Sequence, residues 1–171
     1  MASSKSTKSR CRVVKAPTPF EPLTSPSIFL SGSIDPPPLW QDTLTTSLSH
    51  LPVTILNPLR LDWDSSWREE LSSPQFVQQV NWELDALERA DVVVVHFGPL
   101  AKAPITLMEL GLAARGQRVV VCCPEGYWKR GNVLVVCGRL GIPVVDTLEQ
   151  LTQEVLGKLK EVGVDVPESG K

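Results

Sequence analysis

Five short, nearly uninterrupted apolar segments are the feature that most restricts how this chain can fold. They alternate with stretches of helical periodicity, and they read SIFLSGSI (27–34), VTILNP (53–58), DVVVVHF (91–97), QRVVVCC (117–123) and GIPVVD (141–146). Apolar runs without polar alternation are typical of strands that are covered on both faces, and strands that alternate with helices favour a parallel sheet. We therefore expect an α/β fold with a doubly wound, mainly parallel five-stranded sheet and helices on both faces.

The charge balance argues against a polyanionic partner. The chain has 17 Lys and Arg against 19 Asp and Glu, a formal net charge of −2, so no excess of positive charge attracts a nucleic acid polymer or an anionic membrane. Its apolar runs are far shorter than the roughly 20 residues that a membrane-spanning helix needs. The basic and serine-rich start lacks an apolar run of signal-peptide length. These features predict a cytoplasmic protein that binds small molecules.

A length of 171 residues favours a single domain. Residues 1–27 are rich in Ser, Lys and Pro, which do not sustain a regular helix or a central strand, so we expect a flexible leader there. The domain is expected to span residues 28–165, followed by a tail at 166–171. The four cysteines form no C-x-x-C pair and the chain has two histidines, so no metal site is expected.

The ends of the predicted strands indicate where a ligand binds. In open α/β sheets, ligands bind beyond the carboxyl ends of the strands. The first strand runs into Ser31, Gly32, Ser33 and Ile34, the second into Asn57, Pro58 and Arg60, and the third into His96, Phe97 and Gly98. We therefore expect a binding site at this edge, lined by Gly32, Ser33, Asn57 and His96, although the SGS sequence is also compatible with an ordinary tight turn. No glycine motif for a dinucleotide or a triphosphate is present.

One carboxylate stands out in the segment APITLMELGLAARG (103–116). Pro104 and Thr106 are a plausible helix start and Gly116 a plausible stop, and between Ile105 and Ala114 only Thr106 and Glu109 are polar. Burying an ionised carboxylate is costly, and we expect the dipoles of the helix start to keep it ionised. A desolvated carboxylate at the ligand edge is a candidate nucleophile. The alternative is a structural ion pair with an arginine, Arg60 or Arg115.

A second carboxylate, Glu83, lies in the amphipathic segment QFVQQVNWELDALERAD (75–91). At 100° per residue one apolar stripe is predicted, with polar residues on another side. The stripe comprises Phe76, Val77, Val80, Leu84 and Leu87, and the polar side Asn81, Asp85 and Glu88. Glu83 falls within the edge of the stripe and is expected to point toward the sheet, whereas Asp85 is expected to be a solvated surface charge.

Several ordered motifs together resemble one enzyme family. They are IFLSGSI, NPLRLDWDSSW, QVNWELDALERADVVVVHF, APITLMELGLAARG and GYWKRGNV, spread over about residues 28–145. This set resembles the nucleoside 2-deoxyribosyltransferase family, in particular its branch with W-D-S-S-W and P-I-T-L-x-E-L-G segments. The resemblance implies a flavodoxin-like α/β fold and cleavage of the bond between a nucleobase and its deoxyribose.

The resemblance also implies roles for individual residues. Glu109 matches the glutamate that forms the covalent sugar intermediate. Glu83 takes the place of an Asp that helps to hold the sugar and the reacting base. Asn132 resembles the asparagine that, in oligomeric relatives, reaches a neighbouring subunit's site and binds the sugar hydroxyl. A homo-oligomer, a dimer or larger, is therefore expected.

Two positions depart from the family pattern. Phe29, expected to line the substrate site, stands where many members carry a Tyr that orients the nucleophile, and Ala103 stands where they carry an Asp that contacts the base. In the W-D-S-S-W loop after the second predicted strand, Asp62 and Asp64 are expected to act as replacement acids. Trp63 and Trp67 are expected to form a stacking surface for the base. The alternative for this loop is a packed aromatic cluster.

The expected reaction is a retaining, two-step substitution at the anomeric carbon, with Glu109 as the nucleophile. Such a reaction requires no cofactor. A second base as the acceptor gives a transferase whose partners are deoxynucleosides and free nucleobases, and water gives a nucleoside or nucleotide hydrolase. A non-catalytic nucleotide-binding protein is the remaining alternative, supported by the two departures from the family pattern.

Overall fold

Six strands and five α-helices form the described part of the chain, which comprises residues 10–34, 36–64, 66–116 and 118–167 of a computed structural model. In chain order the elements are β1 (Arg12–Lys15), β2 (Ser27–Gly32), α1 (Trp40–Leu48), β3 (Thr54–Asn57), α2 (Pro74–Arg89), β4 (Val92–His96), α3 (Pro104–Ala113) with a 3-10 turn (Ala114–Gly116), β5 (Val119–Cys122), α4 (Arg130–Leu140), β6 (Val144–Val145) and α5 (Leu148–Glu161).

The strands form one sheet in the order β1-β3-β2-β4-β5-β6. Every neighbouring pair is parallel. Without β1, the order is the 2-1-3-4-5 arrangement of flavodoxin-like sheets. The predicted α/β class and the doubly wound parallel sheet are therefore confirmed, while the predicted number of five strands was wrong by one.

The additional strand lies in the segment that was expected to be a flexible leader. β1 pairs with the edge of β3, and the side chains of Val14, Ala16 and Phe20 are buried against the α2 side of the sheet. A short strand is possible here because the prolines follow it instead of interrupting it. The expectation of a flexible leader was thus wrong for residues 12–20, and residues 1–9 lie outside the described residues.

The sheet separates two hydrophobic layers, because successive side chains of each strand point to opposite faces. Phe29 and Val93 pack in the layer beneath α2, α3 and α4. Ile28, Leu30 and Val94 pack in the layer beneath α1 and α5. Burial on both faces explains why the strand sequences lack polar alternation.

The carboxyl-terminal helix closes the second layer. Leu151, Val155 and Leu159 of α5 are fully buried, and Val164 packs just after the helix. Of the predicted tail, residues 168–171 lie outside the described residues, so the boundary at 165 stays a prediction. Within the described ranges, no helix combines the length and the apolar character needed to cross a membrane.

Candidate active site

The carboxyl ends of β2, β3 and β4 meet at one edge of the sheet, as predicted. Gly32, at the end of β2, pairs with His96, at the end of β4. Asn57 ends β3, which pairs with the other side of β2. The candidate site is built on this edge, with α2 and α3 on one side of the sheet and α1 on the other.

Glu109 is a buried carboxylate on α3, with 7% of its surface exposed. The hydroxyl of Ser31, next to the end of β2, donates a hydrogen bond of 2.6 Å to its Oε2 atom. Burial raises the pKa of Glu109 from its usual 4.5 to about 7; the Ser31 hydrogen bond opposes this rise, and repulsion from the Glu83 carboxylate adds to it. The side chain thus titrates near neutral pH.

The position of Glu109 in α3 explains why its pKa is raised instead of lowered. The helix begins at Pro104, so Glu109 is its sixth residue, beyond the free N–H groups of the first turn. The expectation that helix dipoles keep this carboxylate ionised was therefore wrong. Among the described residues Glu109 has no ion pair with an arginine, since Arg60 binds Asp62 instead.

Glu83 approaches Glu109 from α2. The amide of Gln79, one helical turn earlier, donates hydrogen bonds of 2.8 Å to Glu83 Oε1 and to the carbonyl oxygen of Pro58 after β3. Burial raises the pKa of Glu83, and the Gln79 hydrogen bond partly offsets the rise. Two carboxyl groups with raised pKa values therefore lie within electrostatic reach of each other.

The face of α2 that is buried differs from the predicted apolar stripe. Gln79, Trp82, Ala86 and Leu87 are buried, while Leu84 is 41% exposed. The prediction from apolar residues missed Gln79 because it is polar. Its side-chain NH2 group donates to Glu83 and to Pro58, while its side-chain oxygen is buried without a hydrogen-bond partner among the described residues. The rotation of the helix still turns Glu83 inward, as expected.

Gly32 allows two aromatic rings to pack at the end of β2. A Cβ atom at this position would lie 2.6 Å from the Trp40 ring and 2.7 Å from the carbonyl oxygen of His96. The rings of Trp40 and His96 stack with centroids 4.7 Å apart. Trp40 Nε1 donates to the carbonyl of Ser33, whose Oγ accepts a hydrogen bond from the Gly98 amide. Gly32, Ser33 and His96 thus lie together on the α1 side of the edge.

The loop after β3, residues 61–67, carries the predicted acids and tryptophans; we call it the aromatic loop, and residue 65 lies outside the described residues. The guanidinium of Arg60 binds both oxygens of Asp62 and lowers its pKa. The backbone N–H of Ser66 lowers the pKa of Asp64. Both carboxyl groups are therefore poor proton donors at neutral pH.

The two tryptophans of the aromatic loop contact each other. The ring centroids of Trp63 and Trp67 are 5.2 Å apart with a tilt of 57°. Trp63 is 47% exposed, which leaves part of its ring open to a ligand. The loop is therefore a packed aromatic cluster that still offers an aromatic surface.

The remaining predicted residues differ in their surroundings. Phe29 is fully buried in the core beneath the site. The side chain of Asn57 is buried and caps the backbone N–H of Leu59. Asn132 lies exposed near the start of α4, and no hydrogen bond joins it to Glu109 within the described part of the chain. Ala103, before α3, adopts a left-handed conformation with φ of 45°.

Sequence reasoning did not single out two residues of this site, Trp40 and Gln79. Ser31 and Arg60 had already been placed at this edge by their positions at the carboxyl ends of predicted strands. Gln79 precedes Glu83 by four residues, the spacing at which helix side chains meet. Across the described ranges, no group of three or more His, Cys, Asp or Glu side chains is arranged to hold a metal ion.

The chain matches the model of one protein family. That family is described as "Nucleoside 2-deoxyribosyltransferase like", and the match covers residues 25–127, three fifths of the 171 residues. It includes Glu83, Glu109 and the aromatic loop. None of the curated proteins compared with the chain matches it significantly.

Among solved structures, the chain is similar to the cytosolic domain of the T. maritima FeoB iron transporter in its GDP form. The two chains share 15% sequence identity with a TM-score of 0.45. The aligned region covers 81% of this chain and 65% of the transporter domain chain, so this chain spans slightly less than two thirds of that one.

The raised pKa of Glu109 predicts a pH-dependent penalty on stability. The folded state holds this proton more tightly than the unfolded chain, so stability is lost as the pH rises from about 4.5 to about 7. Glu109→Gln carries no charge to desolvate, and above pH 7 we expect it to be more stable than the wild type by on the order of 3 kcal/mol. Urea unfolding at pH 5 and at pH 8 measures the difference.

Glu88→Gln is the matched control, because Glu88 is exposed on α2. Its unfolding free energy should follow that of the wild type at both pH values. A Glu109→Gln variant whose stability difference from the wild type is the same at pH 5 and pH 8 would contradict the burial of an ionisable Glu109.

Proposed function

Because the chain belongs to the nucleoside 2-deoxyribosyltransferase-like family, we propose that it cleaves the N-glycosidic bond of a 2′-deoxynucleoside and transfers the sugar to another base through a deoxyribosyl ester of Glu109. The observation that carries the proposal is a pair of carboxyl groups, the buried Glu109 with its Ser31 hydrogen bond and the half-buried Glu83 within electrostatic reach of it. The proposed partners are deoxynucleosides and free nucleobases, and the proposed location is the cytoplasm.

In the first step, the ionised carboxylate of Glu109 attacks the anomeric carbon while the bond to the base breaks. The bonding electrons leave with the base, and a proton from Glu83 neutralises it. The pKa of about 7 supports this role of Glu109, because a substantial fraction is ionised at neutral pH. The raised pKa of Glu83 favours a group that retains a proton to donate.

In the second step, an incoming base attacks the same carbon and displaces Glu109. Glu83, now ionised, accepts the proton that the incoming base loses, which restores both carboxyl groups. Two inversions give net retention at the anomeric carbon. Trp63 offers a partly exposed ring on which the base can stack. We assign proton transfer to Glu83 and not to Asp62 or Asp64, whose pKa values are lowered.

The decisive experiment supplies a panel of deoxynucleosides together with a second, labelled free base. We expect labelled deoxynucleoside to accumulate with a rate that rises with the concentration of acceptor base, because a stacked base is better positioned than mobile water. Glu109→Gln should lower this rate by on the order of a thousandfold or more, and Glu88→Gln should leave it unchanged. Chromatography separates the products.

Two other outcomes of that experiment would contradict transfer. Free deoxyribose alone, at a rate insensitive to the acceptor, would make the protein a hydrolase, as the missing carboxylate at Ala103 would favour. If neither product forms with any member of the panel, the protein is a nucleotide-binding protein without turnover.

If Glu83 is the proton donor, the loss of activity in Glu83→Gln should depend on the leaving group of the substrate. Glu83→Gln keeps a partner for Gln79 but removes the acidic proton, so cleavage of a natural deoxynucleoside should slow by roughly a hundredfold or more. A nitrophenyl deoxyriboside, whose leaving group needs no proton, should be cleaved at nearly the wild-type rate. The rise of activity with pH should also move to lower pH, because one source of charge repulsion on Glu109 is gone.

Asp85→Asn is the matched control for Glu83→Gln, since Asp85 lies on the exposed side of the same helix. Asp85→Asn should leave the cleavage rates of both substrates unchanged. Equal losses with the two leaving groups in Glu83→Gln would remove Glu83 as the proton donor.

We further propose that two copies associate through the exposed apolar side chains of α3 and α4, which we together call the α3–α4 face. Its exposed side chains are Ile105, Met108, Leu112, Leu134, Val135, Val136 and Leu140. A helix that is apolar on all sides is normally buried, and exposed apolar patches of this kind mark interfaces. α3 carries no charged residue besides the buried Glu109, so the α3 part of the face can meet a second copy across a two-fold axis without repulsion between like charges.

Association across this face would bring Asn132 of one copy toward the site of the other. Asn132 lies three residues from Val135, on the same side of α4, and Met108 directly precedes the nucleophile. The subunit that completes the site is thus a second copy of this chain.

Val135→Lys should convert the dimer to a monomer in sedimentation velocity, while Val162→Lys, an exposed valine after α5, should not. Mixing inactive Glu109→Gln with inactive Asn132→Ala should restore roughly a quarter of wild-type activity, because half of the randomly paired dimers contain one intact site. A monomeric wild type, or no recovery on mixing, would contradict the shared site.

A further inference from the structure

Arg60 is a buried cation at the point where the chain leaves β3 for the aromatic loop. Its side chain is 5% exposed, and that of Asp62 is 62% exposed. Nε and Nη2 of Arg60 donate hydrogen bonds of 2.8 and 3.0 Å to the two carboxylate oxygens of Asp62. Such a two-point pair fixes direction as well as distance, so the first turn of the loop is held in one orientation.

The same guanidinium supports the aromatic rings of the loop. It lies 4.8 Å from the ring centroid of Trp67, within the range of a cation–π contact. Trp67 in turn packs against Trp63, and its backbone N–H donates to the carbonyl oxygen of Asp64. The position of the exposed Trp63 ring therefore depends on Arg60 through Trp67.

Two neighbouring glutamines of α2 connect this assembly to the carboxyl groups of the site. Nη1 of Arg60 donates a 3.1 Å hydrogen bond to the side-chain oxygen of Gln78. The next residue, Gln79, binds Glu83 and the carbonyl oxygen of Pro58. One turn of α2 thus holds both the start of the aromatic loop and the proposed proton donor, which fixes their relative position.

We propose that Arg60 is a positioning residue that sets the affinity for the nucleobase by holding the aromatic loop beside Glu83 and Glu109. This inference rests on the proposed function, because the loop is taken to stack the base of the substrate. Arg60 itself touches neither the sugar nor the reacting bond. Its loss should weaken binding of the base and leave the chemical step nearly unchanged.

The test uses Arg60→Met, which removes the guanidinium, and Arg60→Lys, which keeps the charge but loses the two-point pair and the planar stacking group. Both should raise KM for the deoxynucleoside and for the acceptor base about tenfold, with kcat within about twofold of the wild type. Asp62→Asn should act in the same direction, and adding it to Arg60→Met should cause little further change. Arg68→Lys is the control, because Arg68 is exposed and 4.0 Å from Glu70.

Hydrogen exchange gives a readout that does not depend on turnover. The backbone amides of Ser66 and Trp67 both bond to Asp64, and they should exchange faster in both Arg60 variants than in the wild type. Thermal unfolding shows that each variant is folded before it is compared. Faster exchange with an unchanged KM, or a fall in kcat with an unchanged KM, would overturn the proposal.

Failure of the proposed function gives a different pattern. If the wild type cleaves no deoxynucleoside, free adenine, hypoxanthine, thymine and cytosine are titrated while tryptophan fluorescence is followed. In that case the transferase is rejected. If a base quenches the wild type, and Arg60→Met needs about tenfold more base for the same quenching, the role of Arg60 is supported. Equal affinity in the two proteins, or no binding of any base, would overturn the role of Arg60 as well.

Discussion

The hydrogen bond between Ser31 and Glu109 is the interaction on which the site depends. A carboxylate that is almost fully buried loses hydration, and its pKa rises to about 7 even though Ser31 favours the ionised form. Evolution normally avoids such a cost unless the group has a function. Here it produces a carboxylate that is desolvated, held in place, and able to change its charge near neutral pH.

The fold supplies that environment from elements that are far apart in the sequence. Ser31 comes from the end of the central strand β2, Glu109 from α3 and Glu83 from α2, and the parallel sheet brings their ends to one edge. Gly32 keeps the other side of that edge closely packed, since a larger residue would collide with Trp40. A single sheet edge thus carries both a pair of carboxyl groups with raised pKa values and a stacked aromatic pair.

The sequence alone predicted the features that arise from local pattern. Uninterrupted apolar runs predicted the strands from β2 to β6 and their burial on both faces, and the isolated Glu109 in an apolar helix stood out without any structure. β1 was missed because a four-residue strand followed by a proline-rich segment gives too short a signal. The inward turn of Glu83 was predicted, but the buried stripe of α2 was not, because Gln79 is buried through its hydrogen bonds and not through hydrophobicity.

Long-range contacts were beyond sequence reasoning for a physical reason. Whether Asp62 is a free acid or the partner of a buried arginine depends on which side chain lies next to it, and the same residues allow both. The pKa values separate these cases. Arg60 lowers the pKa of Asp62, whereas burial raises the pKa values of Glu83 and Glu109. For this reason the proposed mechanism assigns protonation of the base to the carboxyl group on α2 and not to those in the aromatic loop.

Mass spectrometry of the protein quenched with acid during turnover of a deoxynucleoside tests the covalent role of Glu109 most directly. If Glu109 is the nucleophile, a fraction of the chains gain the mass of one deoxyribosyl group. The group lies on the peptide that contains Glu109, and it disappears when an acceptor base is added before quenching. A deoxyribosyl group on another residue, or active protein that never carries the added mass while Glu109→Gln retains turnover, would contradict the covalent role of Glu109.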